Sequence, residues 1–347
     1  MSGPSPTPGV YVVLVNWNGW ADTVECLESV FRLRYPRYRV FVCDNASQDE
    51  SLEHISAWAE GRIAAPVTEG SALRRLSSPP IRKPLPYGLH QRSEAERGPR
   101  VADPVRLELV ATGSNLGFAG GNNVALRCAL ARDDFEYAWL LNNDTVVEPD
   151  ALDHLVARMT ENPRAGLCGS RLLEYEPPHA VQALGGATYN RWLGSARQIQ
   201  SERSGLTEGV ESRMAYVVGA SMLVSKAFLR DVGLMSEDYF LFFEELDWVA
   251  RARGRYGLAY APGSVVYHKA GRSTGFSRRH YNAAAEIRLH HSQIRYTRTH
   301  MPLFLPLLGL RHLLVLLNSL ATLRFPRARA VARLYRELLG GAPAARR

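Results

Sequence analysis

Three short apolar runs, each followed at once by small polar residues, constrain this chain more than any other feature. Residues 10–15 run into Asn16, Trp17 and Asn18; 40–43 run into Asp44 and Asn45; 137–141 run into Asn142, Asn143 and Asp144. A run with no polar face is the pattern of a strand covered on both sides, and such strands belong to parallel sheets with helices on each face. Helical stretches fit between them. Asp22 and Glu25 resemble a capping box ahead of a stripe at Val24, Leu27 and Phe31, which Pro36 ends, and Ser47 with Glu50 opens another helix. The alternation predicts an α/β fold with a doubly wound, mostly parallel sheet flanked by helices.

The segment 61–104 breaks this rhythm. It is rich in Pro, Arg, Ser and Glu without a sustained period, and reads as a surface insertion. Order resumes with a strand over 105–110, a glycine-rich turn over 113–121 and a helix over 122–131. A helix is expected after Pro149 and a short strand near Leu167. Residues 171–213 read as irregular binding loops, 216–224 as a strand, 240–253 as a helix and 258–268 as one or two strands.

Composition narrows the setting. Cys26, Cys43, Cys128 and Cys168 show no C-x-x-C spacing, so a disulfide or zinc framework is not expected. The net charge is +8, but residues 270–347 hold 14 Arg against 2 Glu, which puts +12 there and −4 on the rest. A basic tail on a slightly acidic body suits an anionic membrane surface or a phosphate-bearing substrate; no nucleic-acid-binding module accompanies it. Within the tail, 301–323 is leucine-rich but interrupted by Pro302, Pro306, Arg311, His312 and Asn318. This predicts an amphipathic helix lying on a membrane rather than spanning it, with packing on the body or in a homodimer as the other reading. Residues 1–9 show no leader pattern, so the expected location is cytoplasmic, peripheral on the inner face of the cell membrane.

Ligands of open α/β sheets bind outside the carboxyl ends of the strands, so the polar residues just past those ends are the candidates. His268 closes the last predicted strand and joins them. Asp144, held at the tip of a buried strand, suits Mg²⁺ or Mn²⁺, which take one or two carboxylates and leave other positions to water and phosphate. Glu244, Glu245 and Asp247 crowd three carboxylates beside Phe243 and Trp248, a setting that can raise one pKa toward that of a general base. On a helix Glu244 and Asp247 share a face while Glu245 points elsewhere. The glycines at 113, 117, 120 and 121 fit neither G-x-G-x-x-G nor a Walker A loop; with Asn115, Gly117, Gly120 and Asn122 the turn reads as one approaching a sugar or nucleotide closely.

Taken together, residues 13–19, 44–49, 115–123, 141–145, Gly219-Ala220 and 243–248 resemble the family 2 inverting glycosyltransferases of the GT-A fold, particularly the bacterial rhamnosyltransferase-like branch. The most distinctive segment is Asn-Leu-Gly-Phe-Ala-Gly-Gly-Asn, beginning at Asn115. The resemblance covers about residues 10–275 and implies a GT-A domain over 1–275, with 276–347 a helical C-terminal extension. It implies a nucleotide diphosphate sugar donor (dTDP, UDP or GDP) and an acceptor that is a glycan, lipid-linked or a small molecule. Asp44 would meet the nucleoside with Asn16 beside it, and Asn18, Asn45 and Asn143 would line the same donor site. Asp144 would end the family's "DxD"-type motif and bind the metal with His268, while Asn142, where many members carry Asp, offers a neutral oxygen. Glu245 would be the general base. A non-catalytic sugar-nucleotide or polysaccharide-binding subunit of the same fold is the competing expectation.

Overall fold

The computed structural model describes residues 7–66, 70–99, 105–201, 207–269, 282–322 and 325–339. The chain opens with β1 (Val10–Asn16), α1 (Trp20–Val30), β2 (Tyr38–Asp44) and α2 (Ser51–Glu60), then β3 (Tyr87–Gln91) and α3 (Arg92–Ala95). Next come β4 (Leu107–Ala111), α4 (Gly117–Arg132), β5 (Tyr137–Asn142), β6 (Thr145–Val147), α5 (Ala151–Glu161) and β7 (Ala165–Glu174). A mainly antiparallel stretch holds β8 (Val181–Leu184), β9 (Gly186–Asn190), β10 (Ser195–Gln198), α6 (Thr207–Glu211) and β11 (Tyr216–Val217). The sheet is finished by β12 (Ser221–Ser225), α7 (Lys226–Val232), α8 (Glu244–Ala252) and β13 (Gly257–His268). Three helices follow: α9 (Ala283–His300), α10 (Leu305–Ala321) and α11 (Phe325–Leu339).

The main sheet runs β3-β4-β2-β1-β5-β12-β7-β13-β6, with β8 beside β7. From β3 to β5 every pairing is parallel; β12 runs antiparallel to both β5 and β7. Alternation along β1 divides the core in two. Val10, Val12 and Leu14 pack with Val24, Leu27, Ile55 and Trp58 of α1 and α2, while Tyr11 and Val13 pack with Val124, Ala125 and Cys128 of α4 and Trp248 of α8. Side chains of a strand alternate faces, so an unbroken apolar run feeds both layers; each fully buried Val or Leu contributes roughly 1.5–3 kcal/mol. All four cysteines are buried and free, and burial pushes the Cys26, Cys43 and Cys128 thiols up to about 12.

Several boundaries differ from the sequence expectation. Within 61–104, Leu73 and Leu76 of a 3-10 turn are buried and β3 pairs in parallel with β4, so the insertion extends the sheet. An edge strand with one wet side, here Tyr-Gly-Leu-His-Gln, carries no apolar run to betray it. Residues 171–213 likewise contain the end of β7, three further strands and α6. Helix α4 starts at Gly117, five residues early, because its glycines allow close packing: a Cβ on Gly121 would lie 2.8 Å from Val15 Cγ1. Helix α8 begins only at Glu244, after Phe242 and Phe243 take left-handed backbone angles. Asp22 and Glu25 form no capping box; Gly19 caps α1 and both carboxylates bind Lys269 Nζ, at 2.5 and 2.6 Å.

Helix α10 is amphipathic in the reverse sense to a helix of a water-soluble surface. Its packed side carries Leu308, His312 and Ser319, whereas Leu307, Leu310, Leu313, Leu314, Leu317 and Leu320 are exposed. His312 is held inside by Gln293 Oε1 at 2.9 Å and the Tyr335 hydroxyl at 3.0 Å. The stretch Pro302–Ala321 is long and apolar enough to cross a membrane by length and composition, and 17% of its apolar window is buried.

Candidate active site

The parallel register of β1, β2 and β5 brings Asn16, Asp44 and Asn142 to one rim, where Asn16 pairs with Asp44 and Val15 with Asn142. Asn16 is fully buried and works as a junction. Its amide donates to Asp44 Oδ1 (2.7 Å) and Ser47 Oγ (3.0 Å); its oxygen accepts from Thr23 Oγ1 (2.7 Å) and Asn143 Nδ2 (3.4 Å). Asn143 also donates to Thr23 Oγ1 at 2.9 Å. Ser47 donates to Asp44 Oδ1 through its hydroxyl and to Oδ2 through its backbone N–H, at 2.5 and 3.1 Å. The first strand end therefore fixes the carboxylate of the second and the amide of the fifth. Asn18, exposed and left-handed at φ 51°, closes the outer turn by accepting from the Gln48 N–H at 2.6 Å.

The glycine-rich segment packs against this rim. Asn45 Nδ2 donates to the Gly117 carbonyl at 2.9 Å, and Asn115 Oδ1 accepts from the Gly117 N–H at 3.0 Å. Gly117 has φ +70°, and a Cβ there would sit 2.2 Å from the Phe240 carbonyl oxygen, so only glycine fits. Gly120 and Asn122 lie inside α4: a Cβ on Gly120 would press on Leu116, and the Asn122 amide donates to the Phe118 carbonyl at 2.9 Å. These contacts are internal to the fold.

Asp144 is 2% exposed, and neither of its carboxylate oxygens accepts a hydrogen bond. The antiparallel pairing of β13 with β6 delivers His268, whose Nε2 stands 3.2 Å from Asp144 Oδ1 and 3.2 Å from Asn142 Nδ2. The other ring nitrogen meets Gln182 Oε1 at 2.7 Å, which fixes the ring's orientation. Burial alone would push the Asp144 carboxyl up, but His268 and Lys269 outweigh it and hold the group below its usual range. An ionised, buried carboxylate whose nearest side-chain neighbour is a single imidazole leaves its second oxygen open to a cation. Among the described residues no group of three or more His, Cys, Asp or Glu side chains could hold a metal by itself. Asp144 and His268 Nε2 fit an ion that shares its shell with phosphate and water, while Asn142 turns its amide nitrogen toward His268 and would have to flip to offer its oxygen.

The acidic pair is brought to the same edge by β12. The Asn142 N–H donates to the Ala220 carbonyl at 3.0 Å, and the neighbouring Gly219 N–H donates to Glu245 Oε1 at 3.1 Å. A side chain on Gly219 would occupy the carboxylate's place, at 2.5 Å from Oε1. Glu244 is buried with Oε2 unpartnered, whereas Glu245 is half-buried and reachable. Burial, joined for Glu244 by the charge of Glu245, raises both carboxyls above the usual range. Asp247 does not work with Glu244 as their shared face suggests. Its oxygens are taken by Arg251 Nε (2.8 Å) and His300 Nε2 (2.7 Å), with the Tyr239 hydroxyl at 3.4 Å, so it ties α8 to α9.

Sequence reasoning passed over Thr23, Ser47, Gln182 and Tyr216. The first two sit in turn and helix-start positions where hydroxyls commonly cap, and Gln182 lies on a four-residue strand too short to stand out in the sequence. Tyr216 is raised by burial and by Glu245 and Glu244, which places its hydroxyl in their field.

Comparison with known proteins agrees with this geometry. A family model described as "Glycosyltransferase like family 2" matches residues 99–286, and one described as "Glycosyl transferase family 2" matches 11–67. The chain is similar to an L-rhamnosyltransferase of Mycobacterium tuberculosis acting on N-acetylglucosaminyl-diphospho-decaprenol, at 26% identity over 53% of this chain and 64% of that protein. It is also similar to the low-salt glycan biosynthesis hexosyltransferase Agl10 of Haloferax volcanii, at 22% identity over 42% of this chain and 46% of the relative. The chain thus spans about half to two thirds of the length of these relatives. Among solved structures, a mannosyltransferase from Pyrobaculum calidifontis in complex with GDP-Man and Mn²⁺ superposes with a TM-score of 0.52 at 16% identity, covering 99% of this chain and 78% of that one. That likeness shows the GT-A fold. With more than half of its length matched by the family model, the chain belongs to the glycosyltransferase 2-like family.

Proposed function

We propose that the chain is an inverting glycosyltransferase that moves a sugar, with rhamnose favoured, from a nucleotide diphosphate donor to an acceptor hydroxyl in cell-surface glycan or glycoconjugate synthesis. The observation that carries this reading is the pairing of Ala220 with Asn142, which sets the half-buried Glu245 carboxylate and the Asp144 carboxylate beside His268 on one rim. Asp44, fixed by Asn16 and Ser47, would bind the nucleoside, with Asn18, Asn45 and Asn143 around it. Asp144 and His268, with Asn142, would hold Mg²⁺ or Mn²⁺, which neutralises charge developing on the departing diphosphate. Glu245 accepts the acceptor's proton as the hydroxyl oxygen attacks the anomeric carbon. The bond from that carbon to phosphate breaks with its electron pair going to the diphosphate, and the configuration inverts. Rhamnose is favoured by the likeness to the mycobacterial rhamnosyltransferase. Incubation with dTDP-rhamnose and with UDP- and GDP-sugars should release the nucleoside diphosphate from one donor only when Mg²⁺ or Mn²⁺ is present. A thermal shift with every donor and release from none would make the chain a binding subunit.

The outward leucines of α10 support a cytoplasmic chain seated peripherally on the inner face of an anionic membrane. The full chain is expected to float with phosphatidylglycerol vesicles, and the double substitution Leu314→Glu with Leu317→Glu to remain in the unbound fraction. Flotation unaffected by both substitutions would assign membrane contact to another surface.

A further inference from the structure

Residues 240–253 carry the pattern of one continuous helix, yet α8 starts only at Glu244. The carbonyls that a longer helix would use are engaged elsewhere. In such a helix the Phe240 and Leu241 carbonyls would accept from the N–H groups four residues on, those of Glu244 and Glu245. Instead, Phe240 accepts from the Phe118 N–H at 2.9 Å, and Leu241 from the Ser292 hydroxyl of α9 at 2.9 Å. Phe242 and Phe243 follow in left-handed backbone, at φ 69° and 70°, which bulky residues keep only where their surroundings enforce it. Helix α9 supplies that enforcement. Tyr296 packs on Phe243 with ring centres 5.5 Å apart, and the Arg288 guanidinium lies 4.5 Å from the Phe240 ring centre. Arg295 pairs with Asp238, and His300 Nε2 stands 2.7 Å from Asp247 Oδ1, one turn into α8.

We infer that Ser292 and His300 are positioning residues of the transfer: they hold the start of α8, and thereby keep the Glu245 carboxylate at the rim. Ser292 acts through Leu241 and His300 through Asp247. The place of Glu245 depends on this because its carboxylate meets the Gly219 N–H from the second position of α8. Phe240 is locked over Gly117, where no side chain fits beneath its carbonyl. Relaxing Phe242 and Phe243 to helical angles would therefore move α8, and Glu245 with it, against a fixed Phe240. The inference rests on the transferase reading with Glu245 as base. It adds to that reading a helix lying almost wholly past residue 286, where the family match ends.

Ser292→Ala and His300→Phe should each lower kcat by about tenfold to a hundredfold, the cost of misplacing a reacting group by up to an ångström, with donor KM unchanged. Ser292→Thr keeps the hydroxyl, and His300→Gln offers Asp247 an amide N–H at similar reach; both should recover most of the loss. A second readout needs no donor. The Glu245 carboxyl, raised by burial in the parent, should titrate lower in Ser292→Ala and His300→Phe as it swings toward water. Carbon-13 NMR of the glutamate-labelled full chain follows that titration, and the signal lost in Glu245→Gln assigns it. Unchanged kcat in both variants, or a Glu245 titration that stays in place or rises, would overturn the inference. So would a loss carried by donor KM, or one that the conservative variants fail to restore, since α9 would then only support the fold at large. Failure of the transferase reading shows itself differently, as absence of donor turnover in the parent with the titration shifts intact.

Discussion

Glu245→Gln is expected to lower kcat by about 10²–10⁴, the usual contribution of a positioned general base, with little change in donor KM. The Gln oxygen can still accept from the Gly219 N–H that Glu245 Oε1 accepts now, so the loss is of basicity and not of the fold. In the parent, kcat/KM should fall as pH drops through the raised carboxyl pKa, and that limb should vanish in the variant. Stability should move the other way. Burial raises the Glu244 and Glu245 carboxyls, so the folded chain binds their protons more tightly than the unfolded chain. Their support for folding is complete below the ordinary glutamate pKa of about 4.3 and is withdrawn as pH rises through the raised values. Glu245→Gln should therefore melt higher than the parent above pH 7, with the gap closing in acid. Undiminished turnover would remove Glu245 as the base; Glu244→Gln then becomes the comparison, although its carboxylate is buried away from an entering hydroxyl.

Much of this site was legible because strands buried on both faces betray themselves as runs, and their polar ends must then share a rim. Val10 through Val15, Val40 through Cys43 and Tyr137 through Leu141 left little choice of fold class, and Asn16, Asp44 and Asn142 followed from it. What stayed hidden depends on partners distant in the chain. Asp247 looks like part of an acidic cluster until His300, on another helix, takes its Oδ1. Gln182 has no marking in sequence, yet it orients His268 across 86 residues. The edge strands β3 and β10 are half-wet and carry no periodic signal, and β8 and β9 are too short to show one. Helix α10 is a different case. Its leucines were plain in the sequence, but only the packing of His312 and Ser319 shows that the apolar side is turned outward.

Removing the Asp144 carboxylate should have the second large effect, and its outcome separates metal binding from simple support of the rim. In Asp144→Ala, kcat should fall by about 10²–10³, comparable to losing a group that stabilises charge in the transition state. A role confined to structure would be visible in melting; a role in holding the ion is visible in linkage. A ligand that binds only the folded state raises its melting temperature according to its affinity. For the parent, nucleoside diphosphate with Mn²⁺ should therefore raise the melting temperature more than nucleotide with EDTA. In Asp144→Ala the two increments should become equal, while the metal-free increment survives because Asp44, Asn16 and Ser47 are untouched. His268→Ala should give an intermediate response, since it leaves the carboxylate in place but takes away the imidazole that stands 3.2 Å from it. A metal-dependent increment that persists in Asp144→Ala would place the ion elsewhere and leave the Asp144 carboxylate to His268 alone.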